Sequence, residues 1–112
     1  MATKIPINTF KLVPKDLNGG ENIIYTTPVN VSTIILSLHL ANYSTTDQRV
    51  SVRLVSGSVT ASILVEALVP TKETLNPFSG RVVLETSNSL VVSASNSGAI
   101  QAALSILENA NT

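Results

Sequence analysis

The sequence has neither cysteine nor tryptophan in its 112 residues. Without thiols there are no disulfides and no thiolate-held zinc or iron–sulfur site. Aromatic residues make up 4% of the chain, too few for a platform on which unpaired bases stack. Charged residues make up 12%, and the seven basic and seven acidic side chains cancel. Phosphate binding draws on a basic excess, so nucleic acid is not an expected partner. No apolar run approaches the ~20 residues that span a bilayer, so a membrane is not expected either. The opening Met1-Ala2-Thr3-Lys4-Ile5-Pro6 lacks the apolar run of about 7–15 residues that follows the basic start of a signal peptide. The expectation is a protein made in a cytoplasm and not exported by that route.

What is present is a chain rich in short polar side chains. Ser, Thr and Asn account for 36 residues, and hydrophobic residues for 44%. A mean hydropathy of +0.33 is too high for a disordered chain, and the length suits one domain. Val, Ile and Thr suit a pleated, half-buried surface, while Ser and Asn suit turns. Such a protein has a neutral, hydroxyl-rich surface with little charge repulsion between copies. That favours packing against partners, with a soluble monomer under a Ser/Thr-rich skin as the alternative.

Alternation of apolar and polar residues recurs along the chain, the period-two mark of strands. Residues 1–21 interleave Ile5, Ile7, Phe10, Leu12 and Val13 with polar residues and carry Pro6 and Pro14. Proline cannot donate to a ladder, so this stretch reads as an extended arm or an edge strand, with residues 22–112 as the sandwich proper. An arm would be flexible alone and order on binding, so that deleting residues 1–18 would leave the sandwich folded. Asn22 to Thr27 reads as a short strand ended by Pro28. From Thr33 to Leu40, the alternation assigns Ile34, Leu36, Leu38 and Leu40 to one face and Thr33, Ile35, Ser37 and His39 to the other. Val50, Val52 and Leu54 alternate in the next strand. After Ser56-Gly57-Ser58, Val59, Ala61, Ile63 and Val65 share a face. Leu64 and Leu68 break that pattern on the outer face, positioned to bury against a neighbour. Residues 70–77 form a connection with a short extended piece, followed by strands at 81–85 and 90–94. Residues 99–108 fit either period and are assigned to strand because strands recur at about 8–12-residue intervals elsewhere. The sum is an all-β, antiparallel β-sandwich of seven to eight strands, immunoglobulin-like or jelly-roll-like, with an extended N-terminal arm.

No chemistry-bearing constellation emerges. His39 is the only histidine, and one histidine does not make a zinc site. It reads as an exposed or interface residue. The carboxylates Asp16, Glu21, Asp47, Glu66, Glu73, Glu85 and Glu108 lie too far apart in sequence for a local acid–base pair. There is no G-x-S-x-G elbow and no phosphate loop. We therefore expect no enzyme, no catalytic or metal-binding residue and no cofactor. Tyr25 and Tyr43, with the Asn-rich loops 42–48 and 86–89, are the features a carbohydrate- or host-surface-binding module would use.

The run Ile24-Tyr25-Thr26-Thr27-Pro28, followed by Ser32 to Asn42, resembles the opening of a group of small β-sandwich virion proteins of tailed bacteriophages. Thr45-Thr46-Asp47 with Val50 to Leu54, Arg81 to Glu85 with Ser89 to Ser95, and Leu104 to Glu108 continue the likeness over residues 22–108. The sequence departs at Thr86-Ser87-Asn88, where that group often carries Gly-Asp. The resemblance implies a non-enzymatic virion structural protein: a head decoration (cement) protein on the capsid lattice or, failing that, a neck, tail or fibre-attachment component. It implies other virion proteins as partners (the major capsid protein, or neck and tail proteins), together with a homo-oligomer such as a trimer. Lys4, Ile5, Ile7, Phe10, Leu12, Val13, Leu64 and Leu68 are the candidate assembly contacts. The arm would add a strand to a neighbour's sheet.

Overall fold

A computed structural model of the chain describes residues 6–78 and 80–111. The side chains of residues 6–8, 110 and 111 are not described. Nine strands follow one another: β1 (Pro6–Asp16), β2 (Gly20–Thr26), β3 (Val31–Asn42), β4 (Gln48–Ser56), β5 (Val59–Val69), β6 (Thr74–Leu75), β7 (Val82–Leu84), β8 (Ser89–Ala94) and β9 (Ile100–Asn111). The described residues contain no helix. The chain is an all-β, antiparallel sandwich. The short extended piece expected within 70–77 is β6, and the ambiguous C-terminal segment is the strand β9.

The winding follows from pairing the two ends of the chain inward. β1 pairs with β9, β2 with β8, β3 with β7 and β4 with β5, all antiparallel. A hairpin of that length cannot bury one face while flat, so it rolls. The result is one sheet ordered β1-β9-β3, flanked by β6 and β7, over a second ordered β2-β8-β4-β5. This is the jelly-roll arrangement, in place of the two-sheet order of an immunoglobulin domain. The molecule measures 58 × 27 × 23 Å. Residues 56–63, around the tip of the β4–β5 hairpin, are exposed.

The core lies between the sheets. β9 supplies Ile100, Ala102, Leu104 and Ile106, and β3 supplies Ile35, Leu38 and Leu40. From the other sheet come Val50 and Val52 of β4 and Leu90, Val92 and Ala94 of β8. Leu17, just after β1, is also in the core. Removing residues 1–18 would take away both that side chain and the whole β1–β9 ladder, so the truncation would damage the sandwich.

Two face assignments differ from simple alternation, both because of β-bulges. In β3 the register shifts between Ile35 and Ser37, leaving Leu36 as the extra residue. A bulge reverses the phase of everything on one side of it. Leu38 and Leu40 face inward as expected, but below the bulge Ile35 and Thr33 are buried and Ile34 turns outward. In β5, shifts opposite Val50 to Arg53 have the same effect. Leu64, opposite Val52, packs on the core, while Val59, Ile63 and Val65 are exposed. Leu64 is therefore an inward residue and not an outer-face one. The bulge is stitched by hydrogen bonds from the Glu66 N–H to Ser51 Oγ (2.9 Å) and from Arg49 Nη1 to the Glu66 carbonyl (2.9 Å).

Candidate assembly surface

A sandwich open at its sides has unpaired strand edges, and each is a template for another chain unless something blocks it. The far edge of β3 is covered in part by β6 and β7. The β2 edge is short and bulged at Ile24, and Lys15 Nζ donates to the Ile23 carbonyl at 3.3 Å. The β5 edge has two register shifts and a left-handed residue, Glu66 at φ 51°. β1 is different: it runs eleven residues beside β9 with no register shift.

The hydrogen-bonding phase of β1 follows from its end. The Leu17 N–H donates to the Ile100 carbonyl at 3.0 Å, and that pair continues the β1–β9 register. Bonded and non-bonded pairs alternate in an antiparallel ladder. The odd-numbered residues of β1 therefore bond β9, and the even-numbered ones turn their backbone groups to an edge that is open among the described residues. Pro6 and Pro14 both fall on the open side, where their missing N–H costs the ladder nothing. Between them, the N–H and C=O groups of Asn8, Phe10 and Leu12 face outward.

Directly opposite residues share a face, so the register also defines the outer surface of this sheet. Phe10 lies opposite Leu107, Leu107 opposite Ile34, and Ile34 opposite Val83. The four form an apolar row across β1, β9, β3 and β7. Phe10 is 73% exposed and Val83 60%. Leu12, 64% exposed, begins the next row. Ile34 and Leu107, between Phe10 and Val83, are half-buried; an exposed apolar patch on a small domain is a candidate docking place.

Behind this face a polar cluster ties β1 to both sheets. Glu108 continues the inward positions of β9 and is 8% exposed. Lys11 Nζ lies 2.8 Å from Glu108 Oε1, and the Tyr25 hydroxyl of β2 donates to Oε2. The same hydroxyl is 3.0 Å from Thr33 Oγ1. The hydrogen bond from Lys11, then that from Tyr25, lowers the Glu108 pKa against the opposing effect of burial. Burial, reinforced by the neighbouring carboxylate, pushes the Tyr25 phenol up to about 12. The arrangement holds a buried carboxylate between a phenol and a half-exposed ammonium. Strict alternation of Ile100, Ala102, Leu104, Ile106 and Glu108 is the sequence signal that would have placed this carboxylate inside.

The candidate contact residues scatter. Phe10 and Leu12 stand on the outer face of β1, while Val13 turns inward against the core. Leu64 is on the core side of β5, and Leu68, 47% exposed, lies opposite Arg49 on the outside of the second sheet. β1 and β5 are edges of different sheets, so these residues do not form one surface. Lys4 and Ile5 lie outside the described residues, and the side chain of Ile7 is not described. His39 is exposed on the outer face, beside an open concavity of about 690 Å³ bordered by Pro14, Asp16, Thr74, Gln101 and Ala103. Tyr25 and Tyr43 sit at opposite ends of β3, one against Thr33 and the other just past Asn42, and so form no shared sugar platform. Among the described residues no group of three or more His, Asp or Glu side chains is placed to hold a metal ion.

No protein-family model and no curated protein matches the sequence. Solved structures do show similar folds. One is from Bacillus endospore appendages, described as a novel family of disulfide-linked pili: 13% identity, 97% of this chain and 90% of that one covered, TM-score 0.57. Two are structures of a pentameric capsid protein from metagenomic phage sequences. They show 15% and 16% identity over 86% of this chain, covering 59% and 63% of theirs, with TM-scores of 0.40 and 0.41. At 13% identity, the likeness to the endospore appendage protein is one of fold alone. The chain has no cysteine, so disulfide linkage does not carry over.

Proposed function

We propose that this chain is a non-enzymatic structural subunit of a bacteriophage virion, a head decoration protein seated on the capsid lattice. The observation that carries the reading is the open β1 edge with the Phe10–Leu107–Ile34–Val83 row beside it. The chain offers a docking edge and an apolar face, on a protein of zero net charge. The resemblance over residues 22–108 to small phage sandwich proteins supports the virion setting. The fold, which this chain shares with a protein of Bacillus endospore appendages, supports a structural subunit without favouring the virion over another assembly. On a symmetric lattice, contacts that are weak singly become strong together. The partners in this reading are the major capsid protein and further copies of the chain. A neck, tail or fibre-attachment position is the alternative placement.

An electron cryo-microscopy map of particles from the source lysate tests this. Density for the jelly roll on the head lattice is the expected result. Density only at the neck, tail or fibres would keep the virion reading and replace decoration by one of those roles. Absence from the particle would overturn the reading.

A further inference from the structure

We propose that two copies of this chain pair through their β1 edges, antiparallel about a two-fold axis, with Phe10 opposite the partner's Phe10. The inference rests on the structural-subunit reading for its purpose, but its geometry comes from the edge alone. It joins two five-stranded sheets into one.

Phase limits the choices. Even-numbered residues carry the outward backbone groups, so they must face even-numbered residues of the second copy. Phe10 can then sit opposite Pro6, Asn8, Phe10, Leu12, Pro14 or Asp16 of the partner. Opposite Pro6, only Asn8 with Asn8 exchanges both bonds; opposite Asp16, both central pairs set Leu12 against Pro14. Opposite Pro14, a residue without a donor falls next to the centre of the ladder. Opposite Leu12, the same register sets Lys11 against the partner's Lys11 on one face, and like charges directly opposed are destabilising. Opposite Asn8, Pro6 comes to lie against Leu12, leaving only two fully bonded pairs. Opposite Phe10, Pro6 falls against the partner's Pro14 at each end, outside the ladder. Three consecutive pairs then exchange both bonds: Asn8 with Leu12, Phe10 with Phe10, and Leu12 with Asn8. Each Lys11 lies beside a threonine and stays with its own Glu108. The two prolines thus bracket the pairing window, and together with the Lys11 charge they select its register.

The outer face agrees. In this register the apolar row of one copy runs into that of the other, Val83–Ile34–Leu107–Phe10 meeting its two-fold mate at an aromatic pair. Such pairs add to the area they bury. The other edges are unsuited to the same role: β2 is capped by Lys15 and β5 is broken by bulges.

The chain has no cysteine, so single cysteines report the contact cleanly. Full-length Phe10→Cys, Leu12→Cys, Asn8→Cys and Val83→Cys proteins are oxidised over a concentration series, singly and as mixtures. Opposed residues of a bonded pair have Cα atoms about 5.5 Å apart, within disulfide range. The two Leu12 positions would be separated by about 14 Å along the strand. Phe10→Cys should form covalent dimer at least tenfold faster than Val83→Cys, which is exposed but off the edge and sets the collision rate. Leu12→Cys should link to Asn8→Cys and not to itself. Adding Leu12→Pro to Phe10→Cys removes an edge donor without touching the β9 ladder, and should return cross-linking to the collision rate with the thermal melt still cooperative. Phe10→Cys linking no faster than Val83→Cys, or Leu12→Cys linking to itself as fast, would overturn the proposal. The assay uses purified protein in solution, so it fails or succeeds independently of where the chain sits on a particle.

Discussion

Replacing Glu108 by Gln should cost the fold about 2 kcal/mol at neutral pH. The carboxylate is 8% exposed and takes hydrogen bonds from Tyr25 and Lys11. A hydrogen bond to a buried charge contributes about 1.5–3 kcal/mol and one between neutral groups about 0.5–1.5, so the change weakens the Tyr25 contact by about 1 kcal/mol. The Lys11 ammonium is half exposed, and such pairs contribute about 0.2–1 kcal/mol. The amide nitrogen of Gln also has to sit against either a phenol or an ammonium, which adds to the loss. At this chain length 1 kcal/mol corresponds to roughly 4 °C in melting temperature, so the variant should melt about 8 °C lower. Lys11→Met should lose less than half as much, because the solvated partner contributes least. The difference has a pH signature. Glu108 titrates below its ordinary value in the folded protein, so its stabilisation is present above the unfolded value of about 4.3 and is lost as pH falls through the folded one. Urea titrations of both proteins from neutral to acid pH should show the gap closing on the acid side. Equal stability at neutral pH, or a gap that stays constant on acidification, would refute the claim that this end of the sandwich is held by a buried carboxylate.

Leu104→Ala, at a fully buried position of β9, should cost about 2–5 kcal/mol in a denaturant titration. Ser87 holds φ at 67°, a region where non-glycine residues are strained. Ser87→Gly should therefore raise stability by about 0.5–1 kcal/mol, read as a higher denaturant midpoint. Tyr25 should titrate at about 12 against its ordinary 10.0; phenolate absorbance in a Tyr43→Phe background measures it. Because the folded value is raised, the stability Tyr25 contributes is present below pH 10.0 and is lost as pH rises toward about 12, so alkaline unfolding should be shallower in Tyr25→Phe.

Legibility in the sequence tracked the regularity of each strand. In β4, β8 and β9 the inward residues (Val50 and Val52; Leu90, Val92 and Ala94; Ile100 to Ile106) follow strict alternation, because none of these stretches carries an extra residue of its own. β3 was legible only after Leu36, and β5 was misread around Leu64 although Leu68 lies on the outer face as expected. No glycine or proline announces either bulge; each depends on the register of a partner strand far away in the chain. The buried amides escaped notice for a related reason. Asn42 bonds the carbonyls of Thr46 and Val69, both at 2.9 Å, and Gln48 accepts from Ser95 and Asn96 at 2.7 and 3.0 Å. Part of the compensation for their polarity is local, from Ser44 and Thr46; the rest comes from groups 27 to 48 positions away, which local composition does not display. Phe10 and Leu12 were picked out as contact residues, but the evidence that the β1 edge is open comes only from the pairing.

The handling of edges also explains why so few charges suffice. A jelly roll has more than one free edge, and the usual protection is inward-pointing or edge lysines. This chain has seven basic residues in all and uses two of them at β1, Lys11 on Glu108 and Lys15 on the Ile23 carbonyl. Both point away from the open side of β1. Lysines that would have guarded β1 are thus spent closing the sandwich behind it and capping β2. What guards β1 is a pair of prolines at its ends, and prolines block only the positions they occupy. A strand protected at both ends and bare in the middle does not exclude pairing; it restricts the partner to one of matching length and phase. In this molecule the matching edge is the same strand of another copy.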